Sequence, residues 1–212
     1  WACSIIEQCR KIGFQGAIYP IHPKATDVDG ITVYRTLADL PETPDAAFIC
    51  VNRNVTIDVV RELSQMGAGG AVCFASGFLE SQAETQDGAS RQAELVSAAG
   101  DMPIVGPNCY GFVNYLDQAC LWPDQHGGIP VDSGVAIITQ SSNIAINLSM
   151  HTRALPIAYL MTAGNQAKVS MANLARFVLA DPRVTALGLH IEGLGDPNEF
   201  VQLAQEAQAM GK

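Results

Sequence analysis

The residues of this 212-residue chain whose types could do chemistry gather in short polar turns, each at the end of a brief apolar run. Tyr-Pro-Ile-His-Pro-Lys at 19–24 has two prolines that hold it extended. Its Lys24 either reaches a phosphate or stands as a solvated lysine in a turn. The turn Val51-Asn52-Arg53-Asn54 offers Asn54 as a cap for the helix that follows and Arg53 as an anion contact. In Ala75-Ser76-Gly77-Phe78, Gly77 permits a ligand to approach the backbone, or simply a tight turn. Gly-Pro-Asn-Cys-Tyr-Gly at 106–111 packs two glycines, a proline and the Asn108-Cys109 pair into six residues, more than a plain connection needs.

Three further turns follow the same plan. Thr139-Gln140-Ser141-Ser142-Asn143 leads into a helix, and its hydroxyls and unpaired N–H groups suit a phosphate as well as an ordinary N-cap. Ala163-Gly164-Asn165-Gln166 repeats the arrangement one unit later. His190-Ile191-Glu192-Gly193 puts a carboxylate at a strand end, where it is either solvated or orients an imidazole or cation. No GxGxxG, Walker A loop, GxSxG elbow or HExxH is present. His22, His126, His151 and His190 share no ligand spacing, so no metal site is expected. The six cysteines form no CxxC pair, and Cys50 and Cys73 sit in strand-like runs as small hydrophobes, which fits a reducing compartment.

Turns of this kind need strands ahead of them and helices behind. Apolar runs at 17–20, 46–51, 70–74 and 103–105 alternate with helical periods at 4–12, 55–66 and 82–99. A second set places strands at 135–139, 157–161 and 186–191 and helices at 143–153, 170–180 and 198–210. This βαβ alternation predicts an α/β protein with open parallel sheets, whose ligands bind beyond the carboxyl ends of the strands. Residues 114–133 have neither period and carry Pro123, Gly127, Gly128 and Pro130, so the domain division is expected near Val131, giving domains 1–130 and 131–212. A composition 48% hydrophobic and 16% charged fits sheets covered on both faces. A net charge of -9 lacks the basic footprint of a nucleic-acid binder. No run reaches the roughly 18 apolar residues of a membrane span and no leader is visible, so a cytoplasmic location is expected. Trp1 opens almost directly onto a helix and Lys212 closes one, so both ends read as cut within domains.

Taken in order, the turns resemble the α-subunit family of succinyl-CoA synthetase and its NDP-forming acetyl-CoA synthetase relatives. Residues 19–24 are similar to a Tyr-Pro-Val-Asn-Pro-Lys pattern, 75–78 to Ser-Ala-Gly-Phe, and 106–111 to Gly-Pro-Asn-Cys-x-Gly, the most specific match. Residues 139–143 resemble Ser-Gln-Ser-Gly, 164–166 Gly-Asn-Gln, and 191–193 the end of Tyr-Leu-Glu-Gly. The resemblance implies a CoA-binding Rossmann-like domain lacking its first strand, followed by the first part of a flavodoxin-like succinyl-CoA synthetase domain. It implies an acid-thiol ligase joining a small carboxylic acid to CoA with ATP or GTP and magnesium, through an acyl phosphate and a phosphohistidine. Lys24, Asn52, Arg53, Ser76, Gly77, Asn108 and Cys109 would line the CoA site. Ser141, Ser142, Gly164 and Asn165 would face phosphate, and Glu192 would orient the histidine, which matches none of the four present and is expected beyond Lys212. An ATP-grasp domain or subunit is the implied partner, with homo-oligomerisation open. The chain departs from the family pattern at Ser142, where glycine is usual, and at Asn52, where proline is. Two other readings stand beside this one: a non-catalytic CoA sensor or the synthetase-like part of a protein acyltransferase, and an NAD-type domain, against which the absent glycine fingerprint counts.

Overall fold

A computed structural model describes residues 1–151 and 154–212. Helix α1 (Ala2–Ile12) ends on Gly13, whose φ of 92° lets its N–H turn back to the carbonyls of Arg10 and Cys9. A short ribbon, β1 (Asp27–Val28) and β2 (Ile31–Thr32), follows. The first core is built from β3 (Ala47–Ile49), α2 (Arg53–Gln65), β4 (Ala71–Cys73), α3 (Gln82–Thr85), α4 (Gly88–Ala99) and β5 (Ile104–Val105). Strands β3, β4 and β5 form a parallel sheet in that order. Ile57, Val60 and Leu63 of α2, Phe78, and Leu95 and Ala99 of α4 close over it.

The second sheet has the order β10-β8-β9-β6-β7. Its parallel part is β8 (Gly134–Thr139), β9 (Ile157–Thr162) and β10 (Val184–His190), joined through α5 (Ser142–Ser149) and α6 (Met171–Ala180) and followed by α7 (Pro197–Ala209). All six residues of β9 are buried, as a central strand with both faces covered requires. Hairpin strands β6 (Phe112–Asn114) and β7 (Ala119–Leu121) extend this sheet antiparallel, with Phe112 opposite Met161 and Asn114 opposite Tyr159. Residues on the amino-terminal side of the division expected near Val131 are therefore hydrogen-bonded into the second sheet. Helix α1 covers the same sheet: its Ile5, Cys9 and Ile12 share a core with Tyr115, Trp122, Ile137 and Leu160.

Several elements differ from expectation. The strand expected at 17–20 is absent: the next residue, Ile21, makes an isolated bridge to Tyr34, and Pro20 brings a carbonyl but no N–H to it. The helix expected over 82–99 is broken at Gln86, which sits at φ 60°, so α3 ends there and α4 begins at Gly88. The helix expected over 143–153 ends at Ser149, and its last two residues, Thr152 and Arg153, lie outside the described residues. The stretch 114–133, read as lacking any period, contains β7 and the hairpin turn. Among the described residues, no helix is long and apolar enough to cross a membrane.

Candidate functional site

The two sheets meet at the turn 106–111. β5 ends, the chain runs through a cis Gly106-Pro107 bond, and β6 begins in the other sheet six residues later. Gly106 (φ 98°) leaves no room for a side chain, since a Cβ there would lie 2.8 Å from both Cys109 Sγ and the Cys73 carbonyl oxygen. Asn108 takes the left-handed conformation at φ 58° and donates its N–H to the Ala75 carbonyl at 3.0 Å, tying this turn to the one after β4. The Thr162 hydroxyl accepts the N–H groups of Tyr110 at 2.9 Å and Gly111 at 2.8 Å and donates to the Gly111 carbonyl, so one buried side chain fixes the turn's far end.

From the second sheet, the turn after β9 closes on the same loop. Asn165 N–H donates to the Pro107 carbonyl and Ala167 N–H to the Gly106 carbonyl, each at 2.9 Å. The Asn165 side-chain amide donates to the Glu80 carboxylate and to Gln92 Oε1, reaching across to the first domain. Gly164, at φ 56°, would place a Cβ 2.3 Å from the Pro107 oxygen. Asn165 thus spends its backbone N–H on Pro107 and its side-chain amide on Glu80 and Gln92, while Gly164 packs against the 107–109 turn.

Where β3, β4, β5 and β8 end, a cleft of about 520 Å³ opens. Asn52, Arg53, Ser76, Asn108 and Ser142 line its polar side, with Trp1, Phe74 and Tyr110 forming an aromatic wall. Of the expected CoA-site residues, Asn52, Arg53, Ser76, Asn108 and Cys109 meet here, while Lys24 and Gly77 do not line it. Lys24 is exposed, and its backbone N–H turns to His22 Nδ1 at 3.1 Å. Asn52, not Asn54, caps α2: its Oδ1 accepts the N–H groups of Asn54 and Val55 at 3.1 and 3.2 Å. The Arg53 guanidinium is engaged by both Asp87 carboxylate oxygens at 3.0 Å and by the Gly77 carbonyl at 2.6 Å, so its first role is to lock the 75–78 turn rather than to await an anion. Gly77 makes room for that arginine, whose Cδ would lie 2.9 Å from a Cβ. The Thr85 hydroxyl and then Arg53 hold the Asp87 carboxyl below its usual pKa.

Cys109 is 1% exposed, and burial pushes its thiol pKa up to about 12, so it belongs to the wall of the cleft and not to its reactive chemistry. Ser141 caps α5, its Oγ accepting from Ile144 N–H at 3.4 Å, while its own N–H is taken by Thr139 Oγ1 at 2.9 Å. The N–H groups of Ser142 and Asn143, in the first turn of α5, have no intrahelical acceptor. At the neighbouring end of β10, Gln140 Oε1 accepts the N–H groups of Glu192 and Gly193 and its Nε2 donates to Gly193 O at 3.2 Å, leaving the exposed Glu192 side chain beside the end of β8. Among the histidines, His126 is 1% exposed and bonded through Nδ1 to Tyr115 Oη at 3.1 Å, a core position. Thr162, Glu80, Asp87 and Gln140 were not legible as site residues, because each acts on backbone or on a partner far away in sequence. Tyr110 sat inside the 106–111 motif but read only as a spacer.

Comparison with known proteins agrees with this geometry. A CoA binding domain family matches residues 1–115 and a succinyl-CoA ligase like flavodoxin domain family matches 132–212. A trans-feruloyl-CoA synthase from a prokaryote of unknown identity is 33% identical over 94% of this chain and 29% of its own length. The α subunit of acetate–CoA ligase (ADP-forming) II from Pyrococcus furiosus is 27% identical over 90% of this chain and 41% of its own. The solved structure of an acetyl-coenzyme A synthetase of Candidatus Korarchaeum cryptofilum superposes with a TM-score of 0.84 at 26% identity, over 96% of this chain and 44% of that one. The chain thus spans less than half the length of each of these relatives. With both domain families matched in order and the cleft formed between them, the chain belongs to the NDP-forming acyl-CoA synthetases.

Proposed function

We propose that this chain supplies the CoA-binding site and one phosphate-facing helix end of an acid-thiol ligase that makes an acyl-CoA at the expense of ATP or GTP. The observation that carries this is the convergence of Asn52, Ser76 and Asn108 from one domain and Ser142 from the other on a single cleft beyond the strands' carboxyl ends. In this reading the Ser76 hydroxyl and the Asn108 amide bind the pantetheine end of CoA. The exposed Lys24 serves its charged end, which a molecule as extended as CoA carries well away from the cleft. The first-turn N–H groups of α5 at Ser142 and Asn143 receive phosphate, aided by the helix dipole. Glu192 orients the histidine that carries the phosphoryl group in the family, and Gln140 sets the backbone from which it does so. The division near Val131, the partner ATP-grasp domain, magnesium and a cytoplasmic location belong to the same proposal. The names of the relatives, which include acetate and feruloyl ligases, support the reaction class.

A thermal-shift comparison tests it. CoA at about a hundred times its dissociation constant is expected to add roughly 2.7 kcal/mol of stability. Stabilisation by NAD with none by CoA would overturn the assignment.

A further inference from the structure

The polar side of the cleft accounts for CoA and phosphate, but not for its other wall. Phe74, one residue past β4, lies with its ring centroid 5.5 Å from that of Tyr110, 5.8 Å from Phe48 and 5.1 Å from Trp1. Tyr110 packs edge-on, at 5.6 Å, against Trp122, which is fully buried and anchors the cluster from behind. Phe74 and Tyr110 are each only partly buried, so ring surface is left facing the cleft beside Asn108 and Ser142. Ring faces left open at a preorganised pocket attract another ring beyond what its apolar area contributes. The aromatic wall and the polar recognition group are also carried on one short turn: Asn108 and Tyr110 are two residues apart, and Thr162 holds the Tyr110 N–H. The distance from the thioester end of a bound acyl-CoA to the ring wall is therefore set by the fold.

From these observations we propose that the acid accepted at this site is an aryl carboxylic acid, its ring packed on Phe74 and Tyr110 while Asn108 and Ser142 face the reacting end. This deepens the acyl-CoA synthetase reading and rests on it. Acetate-sized substrates would leave the wall wet, and a straight alkyl chain would gain area but not ring-to-ring contact.

The test is a titration of the chain with pantetheine, CoA, acetyl-CoA, hexanoyl-CoA and cinnamoyl-CoA by calorimetry. Cinnamoyl-CoA is expected to bind about tenfold more tightly than acetyl-CoA and severalfold more tightly than hexanoyl-CoA. The double substitution Phe74→Leu with Tyr110→Leu keeps apolar bulk but removes both rings. It should abolish that preference, bringing the affinities for cinnamoyl-CoA and hexanoyl-CoA to within about twofold of each other. The wild-type ligand series decides the matter even where the double variant folds poorly. Equal affinity for the three thioesters, with CoA itself bound, overturns the aryl assignment alone. A double variant that weakens CoA as much as cinnamoyl-CoA, with pantetheine unaffected, gives the wall to the adenine ring and also overturns it. Binding of no CoA compound overturns the synthetase reading together with this one.

Discussion

Replacing Thr162 by valine should loosen the joint on which the whole cleft depends. The side chain is fully buried, and its hydroxyl oxygen is the acceptor for the N–H groups of Tyr110 and Gly111. Valine has nearly the same shape, so the cavity contribution is small and the loss is almost purely polar. A buried donor left without a partner costs about 1–3 kcal/mol. Gly111 is buried and should suffer the full penalty, while Tyr110 is partly buried and should recover some of it from water. The hydroxyl's own donation to the Gly111 carbonyl matters less, since that oxygen also accepts the Thr162 N–H at 2.8 Å. Together these give an expected destabilisation of about 2–5 kcal/mol. Equilibrium urea unfolding, followed by the fluorescence of the buried Trp122, would read it as a fall in midpoint at unchanged slope. Thr162→Ser provides the contrast: it keeps the oxygen, deletes one methyl group and should cost about 1 kcal/mol. A valine variant within about 0.5 kcal/mol of wild type, or one more stable than the serine variant, would refute the clamp.

Two further outcomes follow from the same geometry. Gly164→Ala forces a Cβ to within 2.3 Å of a backbone oxygen at φ 56° and should cost about 2–4 kcal/mol, the left-handed penalty plus overpacking. Gly30→Ala, at φ 79° with open space around it, should cost about 1–2 kcal/mol by the first effect alone, and urea midpoints that rank the two the other way would contradict the interdomain contact. Burial, and then the nearby Lys11 charge, lower the His126 pKa from 6.5 to about 4. Between those values the unfolded chain binds the proton and the folded chain does not, so stability should fall as pH drops from about 6.5 to about 4 and level off below, by a total of up to about 3 kcal/mol. His126→Phe should flatten that part of the pH profile, and an unchanged slope in the variant would show that His126 is not its source.

Sequence reasoning reached the parts of this architecture that rest on local chemistry. The parallel strands are continuous apolar runs between turn residues, and the helices show clear periods, so the βαβ order was legible. So was the 106–111 turn, because positive-φ glycines and a proline have few other uses in so short a span. The hairpin β6–β7 was not. Its strands are three residues each and too short to show alternation, and its signals were in the turn: Asn114 Oδ1 accepts the N–H groups of Leu116 and Asp117, and Gln118 takes φ 54°. The turn-locking role of Arg53 was missed for a different reason. Its partner Asp87 lies 34 positions away, and no spacing rule connects an arginine at one helix start with an aspartate before another. The choice of Asn52 over Asn54 as cap turned on where α2 begins, and a shift of two residues is within the uncertainty of any helix boundary.

The hairpin also bears on how such a protein can be taken apart and recombined. A cut at Val131 would leave β6 and β7 on the amino-terminal piece with the β6 edge that pairs with β9 laid bare, and would take from α1 the Ile137, Ile157 and Leu160 side chains that complete its core. An uncovered strand edge beside an apolar helix face is a template for self-association. The carboxyl-terminal piece would carry a matching vacancy along β9. The two pieces are therefore complementary halves of one sheet rather than two independent cassettes. Swapping acid specificity between relatives by exchanging segments should succeed where the exchanged piece carries α1 and the hairpin together with their sheet, and should yield aggregates where it follows the boundary between the two matched families.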